Sequence, residues 1–316
     1  MVSVTLADIQ DARVRIADRV HRTPTFASET LSRRLRVPVV LKAENLQKTG
    51  SFKPRGATNA VRQLPQEARS RGVVTFSAGN HAQALAYAAA AEGVKCTVVM
   101  PASAVPSKVD ACRAYGAEVV LHGTPREAMA HFQVLQQTRN LATIHPFDHP
   151  HVIAGQGTVG LEIMEDVPDV SLVIVPIGGG GLISGIATAL RGLDVPVRIV
   201  GVETTGSNAM RAALASGRPV MLDRIDSIAD GLNAPSVTDR TLDIVRRYVD
   251  EVVEVTDAAL IDAMRFAMER LKLVLEPAGA AGLAALLGGH AGRPTGRVAI
   301  VLSGGNVDLT RLKAWL

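Results

Sequence analysis

Short, almost purely apolar runs recur along this chain, separated by longer stretches that are Ala-rich or charged. The runs are 37–42 (VPVVLK), 72–77 (GVVTFS), 94–100 (VKCTVVM), 117–121 (AEVVL), 171–177 (SLVIVPI), 197–202 (VRIVGV) and 297–302 (RVAIVL). A strand with one wet face alternates apolar and polar side chains, whereas a strand buried on both faces does not. These runs therefore predict parallel strands covered by helices. Segments 82–92, 126–139 and 182–191 predict helices between them, and 1–20, charged throughout, predicts an amphipathic helix. The alternation predicts an α/β fold class, with two α/β domains and mostly parallel sheets. Segment 145–150 (HPFDHP) reads as a loop and a crossover point. It divides the chain into a large domain, 1–71 with 147–316, and a small mobile domain, 72–146.

Composition narrows this picture only slightly. At 316 residues, 47% hydrophobic and 20% charged, the chain is an ordinary globular one. Its length suits about two domains at roughly 150 residues each. Six Phe, three Tyr and one Trp leave few platforms for stacking bases, which disfavours a nucleic-acid partner. A net charge of +4 without a basic block is uninformative about partners. Cys96 and Cys112 form neither a disulfide framework nor a zinc spacing. A charged N-terminus and the lack of a long apolar run predict a soluble cytoplasmic protein with no membrane partner.

Chemistry in such folds sits at the carboxyl ends of the strands. Three turns there are glycine-rich: Ser77-Ala78-Gly79-Asn80-His81, Gly178-Gly179-Gly180-Gly181 and Ser303-Gly304-Gly305-Asn306. Four glycines in a row let backbone N–H groups approach an anion, and the helix that follows adds its positive end. A phosphate-binding Walker loop is excluded, because no GK[ST] occurs. A dinucleotide site stays open: Gly179, Gly181 and Gly185 form a relaxed glycine fingerprint, and Glu203 ends the next strand where a ribose would lie. Lys53, in Gly50-Ser51-Phe52-Lys53-Pro54-Arg55-Gly56, decides between them only through what its surroundings resemble.

That fragment, with the 77–81 turn, the 155–157 segment (GQG), the four glycines, Asp230-Gly231, Glu276-Pro277 and Ser303-Gly304-Gly305-Asn306 in this order, resembles the fold type II (tryptophan synthase β-like) pyridoxal-phosphate enzymes. Within them it is most similar to the threonine/serine dehydratase and serine racemase branch, over residues 6–312. The resemblance implies that Lys53 carries pyridoxal 5'-phosphate as a Schiff base and later takes the substrate α-proton. It implies that Gly178, Gly179, Gly180 and Gly181 hold the cofactor phosphate, and that Phe52 and Gly231 cover the two ring faces. Asn80 would bond the ring hydroxyl, Ser303 the ring nitrogen, and Glu276 would lie near the ring edge. Ser77, Ala78, Gly79, Asn80 and His81 would receive the substrate carboxylate, with Gln156 in support and Arg126 reaching in on closure.

The activity so implied is α,β-elimination: L-threonine to 2-oxobutyrate plus ammonia, and L-serine to pyruvate. Serine racemases carry a second Ser where this chain has Ala78. They also place an acidic metal ligand where this chain has Ala209, six residues after Glu203. Both departures favour a lyase without a metal. His145, His149 and His151 read as loop histidines rather than zinc ligands. The chain stops shortly after Ser303-Gly304-Gly305-Asn306, so isoleucine feedback through an appended regulatory domain is not expected. Relatives in the branch imply a homo-oligomer, a dimer or tetramer. Other readings are a dehydratase of another β-hydroxy amino acid (3-hydroxyaspartate, a phenylserine or a hydroxyectoine-breakdown intermediate), a serine racemase, an NAD(P)-dependent oxidoreductase, and a non-catalytic amino-acid-binding protein.

Overall fold

Residues 4–315 are described by a computed structural model. Of the predicted amphipathic helix 1–20, Leu6–Ile16 is helical, capped by Thr5 and buried through Ile9, Ala12 and Ile16. Met1, Val2 and Ser3 of that segment, and Leu316 of the large domain, lie outside the described residues. Among the described residues ten strands follow in chain order: β1 (Thr25–Ala27), β2 (Val39–Lys42), β3 (Val73–Phe76), β4 (Cys96–Met100), β5 (Glu118–Leu121), β6 (Ala142–Thr143), β7 (Val170–Pro176), β8 (Arg198–Thr204), β9 (Glu251–Val255) and β10 (Arg297–Val301).

The strands form two sheets. One has six strands in the order β1-β2-β10-β7-β8-β9; the other has four, β5-β4-β3-β6. Every pairing is parallel except β1 with β2 at the edge. All seven apolar runs contain strands, but β5 lies at the edge of the four-stranded sheet and is not buried on both faces: Glu118 and Leu121 are exposed and Val119 and Val120 half-buried. β1, β6 and β9 were not legible in the same way. β1 and β6 are very short, and β9 (EVVEV) begins on an exposed glutamate at the sheet edge.

Apolar side chains pack on both faces of the six-stranded sheet. Leu41, Ile174, Val200 and Ile300 meet the helix Pro277–Leu287 on one face. Val173, Val175, Ile199 and Ala299 meet the helix Gly181–Gly192 on the other. The core under the four-stranded sheet combines Val73, Leu85, Val98 and Met100 with Ala57, Ala60, Val61 and Val152, which come from outside 72–146. The helices Lys53–Arg62 and Pro150–Asp166 thus lie between the two sheets, and a cleft lined by Phe76, Pro176 and Ser303 opens at the carboxyl ends of β3, β7 and β10.

Candidate active site

The cleft encloses about 870 Å3 and is lined by residues from both sheets. Lys53 opens the helix Lys53–Arg62, with Pro54 in its first turn, where the missing N–H costs nothing. The segment before it is tied to the end of β10: Ser51 bridges Gly304, and Phe52 N–H donates to Ser303 O at 3.2 Å. This pairing sets Lys53 beside Ser303 across a very long sequence separation. Lys53 Nζ donates to Pro146 O at 2.9 Å and lies 5.0 Å from the Phe52 ring centroid. Burial lowers its pKa to about 8, against the opposing charge of Glu276.

The four-glycine turn joins β7 to the helix Gly181–Gly192. Gly180 adopts φ 93°, the left-handed region that favours glycine, and no side chain caps the helix. A Cβ at Gly179 would overlap the ring of Phe147. The turn therefore presents bare backbone at the positive end of a helix, open to the cleft.

The helix Asn80–Ala91 starts at the end of β3, and Gly79 faces open space with nothing within 4 Å of a would-be Cβ. His81 is buried, and its Nε2 lies 2.9 Å from Ile144 O, so Nε2 carries the hydrogen. Burial, helped by the charge of Lys53, pushes its pKa down to about 3, so the ring is neutral. Asn80 Nδ2 donates to Glu276 Oε1 at 2.5 Å. Burial raises Glu276 to about 7, against the Asn80 hydrogen bond and the charge of Lys108. Ser303 Oγ makes one long contact, 3.4 Å to Ala278 O, leaving its hydroxyl available to the cleft.

Phe52, Lys53, Ser77, Ala78, Gly79, Asn80, His81, Gly178, Gly179, Gly180, Gly181, Gly231, Glu276 and Ser303 all line this one cleft. Gln156 does not. Its Oε1 accepts from Gly56 N–H at 3.2 Å, which turns the side chain toward the helix Lys53–Arg62, and its Nε2 is buried without a hydrogen-bond partner. Arg126 is exposed, and its helix reaches the cleft through Met129 and Phe132 instead. Glu203 also stays outside. Its two oxygens accept Met210 and Arg211 N–H at 2.8 and 2.9 Å, which caps the helix Ala209–Ser216 and takes away the ribose partner a dinucleotide would need. His149 and His151 sit 5.3 Å apart between ring centroids, and His145 Nδ1 accepts Asp148 N–H at 2.9 Å. Among the described residues no group of three or more His, Cys, Asp or Glu could hold a metal ion.

Sequence reasoning missed Phe147, whose ring backs the glycine turn, and Lys108, whose Nζ lies 3.2 Å from Asp230 at the edge of the cleft. Phe147 lies inside the HPFDHP segment, where the only signal was that of a loop.

An uncapped helix end, a lysine with a depressed pKa beside an aromatic ring, and a serine hydroxyl held by one long contact across the cleft fit a ligand with a phosphate, a carbonyl and a ring nitrogen. Residues 16–304 match the family described as "Pyridoxal-phosphate dependent enzyme", and the chain belongs to it. It is 45% identical to an L-threonine ammonia-lyase of Thermotoga maritima, over 98% of this chain and 77% of that one. It superposes on maize serine racemase with a TM-score of 0.95 at 38% identity, covering 99% and 97% of the two chains. A threonine deaminase from T.th. gives 0.91 at 42% identity, covering 96% and 99%. The fold is the type II fold of pyridoxal-phosphate enzymes, as the sequence motifs implied.

Proposed function

We propose that this chain is a threonine ammonia-lyase that converts L-threonine to 2-oxobutyrate and ammonia, and L-serine to pyruvate. The observation that carries the reading is the convergence of Lys53, the glycine turn and Ser303 on one cleft whose 77–81 wall holds alanine at position 78.

Bound pyridoxal phosphate supplies the electron sink that makes a substrate Cα–H acidic. The chain's own residues do the rest. The backbone N–H groups of Gly178, Gly179, Gly180 and Gly181 would hold the cofactor phosphate, and the Ser303 hydroxyl would serve the ring nitrogen. Phe52 and Gly231 would bound the ring, Asn80 would bond its hydroxyl, and Glu276 would lie near its edge. The turn Ser77, Ala78, Gly79, Asn80 and His81 receives the substrate carboxylate at a helix start, through backbone N–H groups and not through a charge on His81, which is neutral. With its pKa near 8, Lys53 is partly unprotonated at neutral pH and takes the α-proton from one face. Ala78 can hold no proton on the other face. Loss of the β-hydroxyl is therefore favoured over reprotonation from the opposite side, which speaks against a racemase even though a racemase is among the similar structures.

We also assign the four-stranded sheet and its helices, 72–146, to a mobile domain that closes over the substrate, and 1–71 with 147–316 to the cofactor domain. Lys108 with Asp230, Ser107 with Asp308 and Asn80 with Glu276 are among the polar contacts that span them here, and Glu92 adds ion pairs to Arg19 and Arg62. No helix among the described residues is long and apolar enough to cross a membrane. A cytoplasmic homo-oligomer, dimer or tetramer, completes the reading; sedimentation would measure it.

The test is incubation of the holoenzyme with L-threonine and L-serine while 2-oxo acid, ammonia and the D-enantiomers are measured. Ammonia and 2-oxo acid in equal amounts, with D-serine formation much slower than pyruvate formation, are expected. Comparable rates of the two from L-serine would overturn the lyase reading. Lys53→Ala should lose activity by several orders of magnitude, and borohydride should no longer fix the cofactor to the protein.

A further inference from the structure

Asn306 ends the third glycine-rich turn, and the proposed function gives it no task. Its surroundings do. The atom of its carboxamide 2.6 Å from Thr49 O must be nitrogen, because a backbone carbonyl only accepts. The same nitrogen lies 2.8 Å from the Asn80 carboxamide. One of its hydrogens goes to Thr49 O and the other to Asn80, so Asn80 must present its oxygen there. The nitrogen of Asn80 is then the atom facing Glu276 Oε1. The orientation of two amides thus follows from one carbonyl.

The frame around this chain of bonds is tight. Gly50, at φ 72°, passes so close to Asn306 that a Cβ there would overlap its amide oxygen. Gly305 N–H donates to Gly50 O at 2.9 Å, closing the two backbone segments around the side chain. On the cleft side, a Cβ on Gly304 would sit 3.3 Å from Asn80 Nδ2 and one on Gly231 4.0 Å from it. Asn80 nitrogen thus lies near Gly304 and near Gly231, which lines the cleft together with Asn80 itself, and one of its hydrogens is left after Glu276 has taken the other.

We infer that Asn306 is a positioning residue: it locks the Asn80 carboxamide with its nitrogen toward Glu276 and the cleft, so that Asn80 acts there as a donor. The inference rests on the reading that the cofactor lies against Asn80. Without Asn306 the amide can turn, and an oxygen then faces both the Glu276 carboxylate and the ligand oxygen that Asn80 would otherwise bond.

The variant that separates this from a packing role is Asn306→Asp, nearly equal in size but unable to donate. Asn80 should turn its nitrogen to the new carboxylate and its oxygen to Glu276. Titration of the apoprotein with pyridoxal 5'-phosphate, followed by absorbance, should then show affinity lowered about tenfold or more, the worth of a buried hydrogen bond. The pH at which the bound-cofactor spectrum changes with Glu276 should move up. Adding Glu276→Gln should recover part of the affinity, because a glutamine side chain at that position can donate to the turned amide. Should the Asp variant not fold, Asn306→Ser tests the same point, since one hydroxyl hydrogen cannot serve Thr49 and Asn80 together; the same direction of loss is expected. Unchanged affinity and spectrum, or Asn306→Asp and Glu276→Gln effects that simply add, would overturn the inference. If Asn80→Ala binds the cofactor as tightly as the wild-type chain, the assignment of Asn80 in the proposed function has failed, and this inference with it.

Discussion

At the residue scale, burial decides which ionisable groups are unusual. Glu203 is 1% exposed at the end of β8. Desolvation raises its pKa to about 7, although two backbone N–H bonds pull the other way. A carboxyl whose folded pKa exceeds its unfolded value holds more protons folded than unfolded between the two. Its contribution to stability is complete below about 4.5 and is lost as pH rises through about 7. Glu203→Gln removes this titration and leaves one helix N–H facing a donor, a cost of about 1–3 kcal/mol. The stability gap between the wild-type chain and this variant should be widest below about pH 4.5 and shrink as pH rises through about 7, read from urea unfolding at each pH. The sequence identified Glu203 as a strand-end acid but offered it only a ribose or a metal. That it caps a helix depends on where Met210 and Arg211 fold back.

Among the elements, two helices meet through glycine. Gly185 of the helix Gly181–Gly192 and Gly157 of Pro150–Asp166 allow their backbones to touch: a Cβ on Gly185 would overlap the carbonyl of Ile153, and one on Gly157 would lie 2.9 Å from Gly185 O. The neighbours of Gly185 are all backbone, which cannot rotate aside, whereas Gly157 also faces the Ile9 side chain. Gly185→Ala should therefore destabilise the chain by at least about 1–3 kcal/mol, measured by denaturant midpoint. It should also weaken cofactor binding, because the same helix begins at the phosphate-facing turn. Gly185 was legible as part of a fingerprint spacing, yet the structure gives that glycine a packing task. The 155–157 segment is likewise a helix interior and not a loop at the site, which is why Gln156 points at Gly56.

For the whole molecule, one buried cation ties three parts of the fold together. Arg55 donates to Glu44 at 2.8 Å and to Glu162 at 2.6 Å, and Lys42 of β2 reaches Glu162 at 2.6 Å. Burial works against the Arg55 charge, but Glu44 and Glu162 hold its pKa above the usual value. The cluster joins the Lys53 helix to β2 and to the helix Pro150–Asp166, so it anchors the residue proposed to carry the cofactor. Arg55→Ala leaves Glu162 with Lys42 and leaves Glu44 buried with the Thr23 hydroxyl in place of a cation. A loss of about 3–5 kcal/mol in unfolding free energy is expected, far above the effect of an exposed ion pair such as Arg33–Glu29. An unfolding midpoint within error of wild type would show that the cluster relaxes instead.

What the sequence determined by itself is local: the apolar runs that became β2, β3, β4, β5, β7, β8 and β10, the three glycine-rich turns after β3, β7 and β10, and Lys53 within its fragment. These follow from side-chain period, from the lack of a Cβ and from the ordered set of motifs, all readable without knowing any distant neighbour. Only the tertiary structure decided the rest. It set Phe147 behind the glycines, kept Gln156 and Arg126 out of the cleft, turned Glu203 into a cap, and linked Thr49, Asn306, Asn80 and Glu276. Desolvation and hydrogen-bond partners belong to groups brought together across hundreds of residues, so neither spacing nor composition carries them.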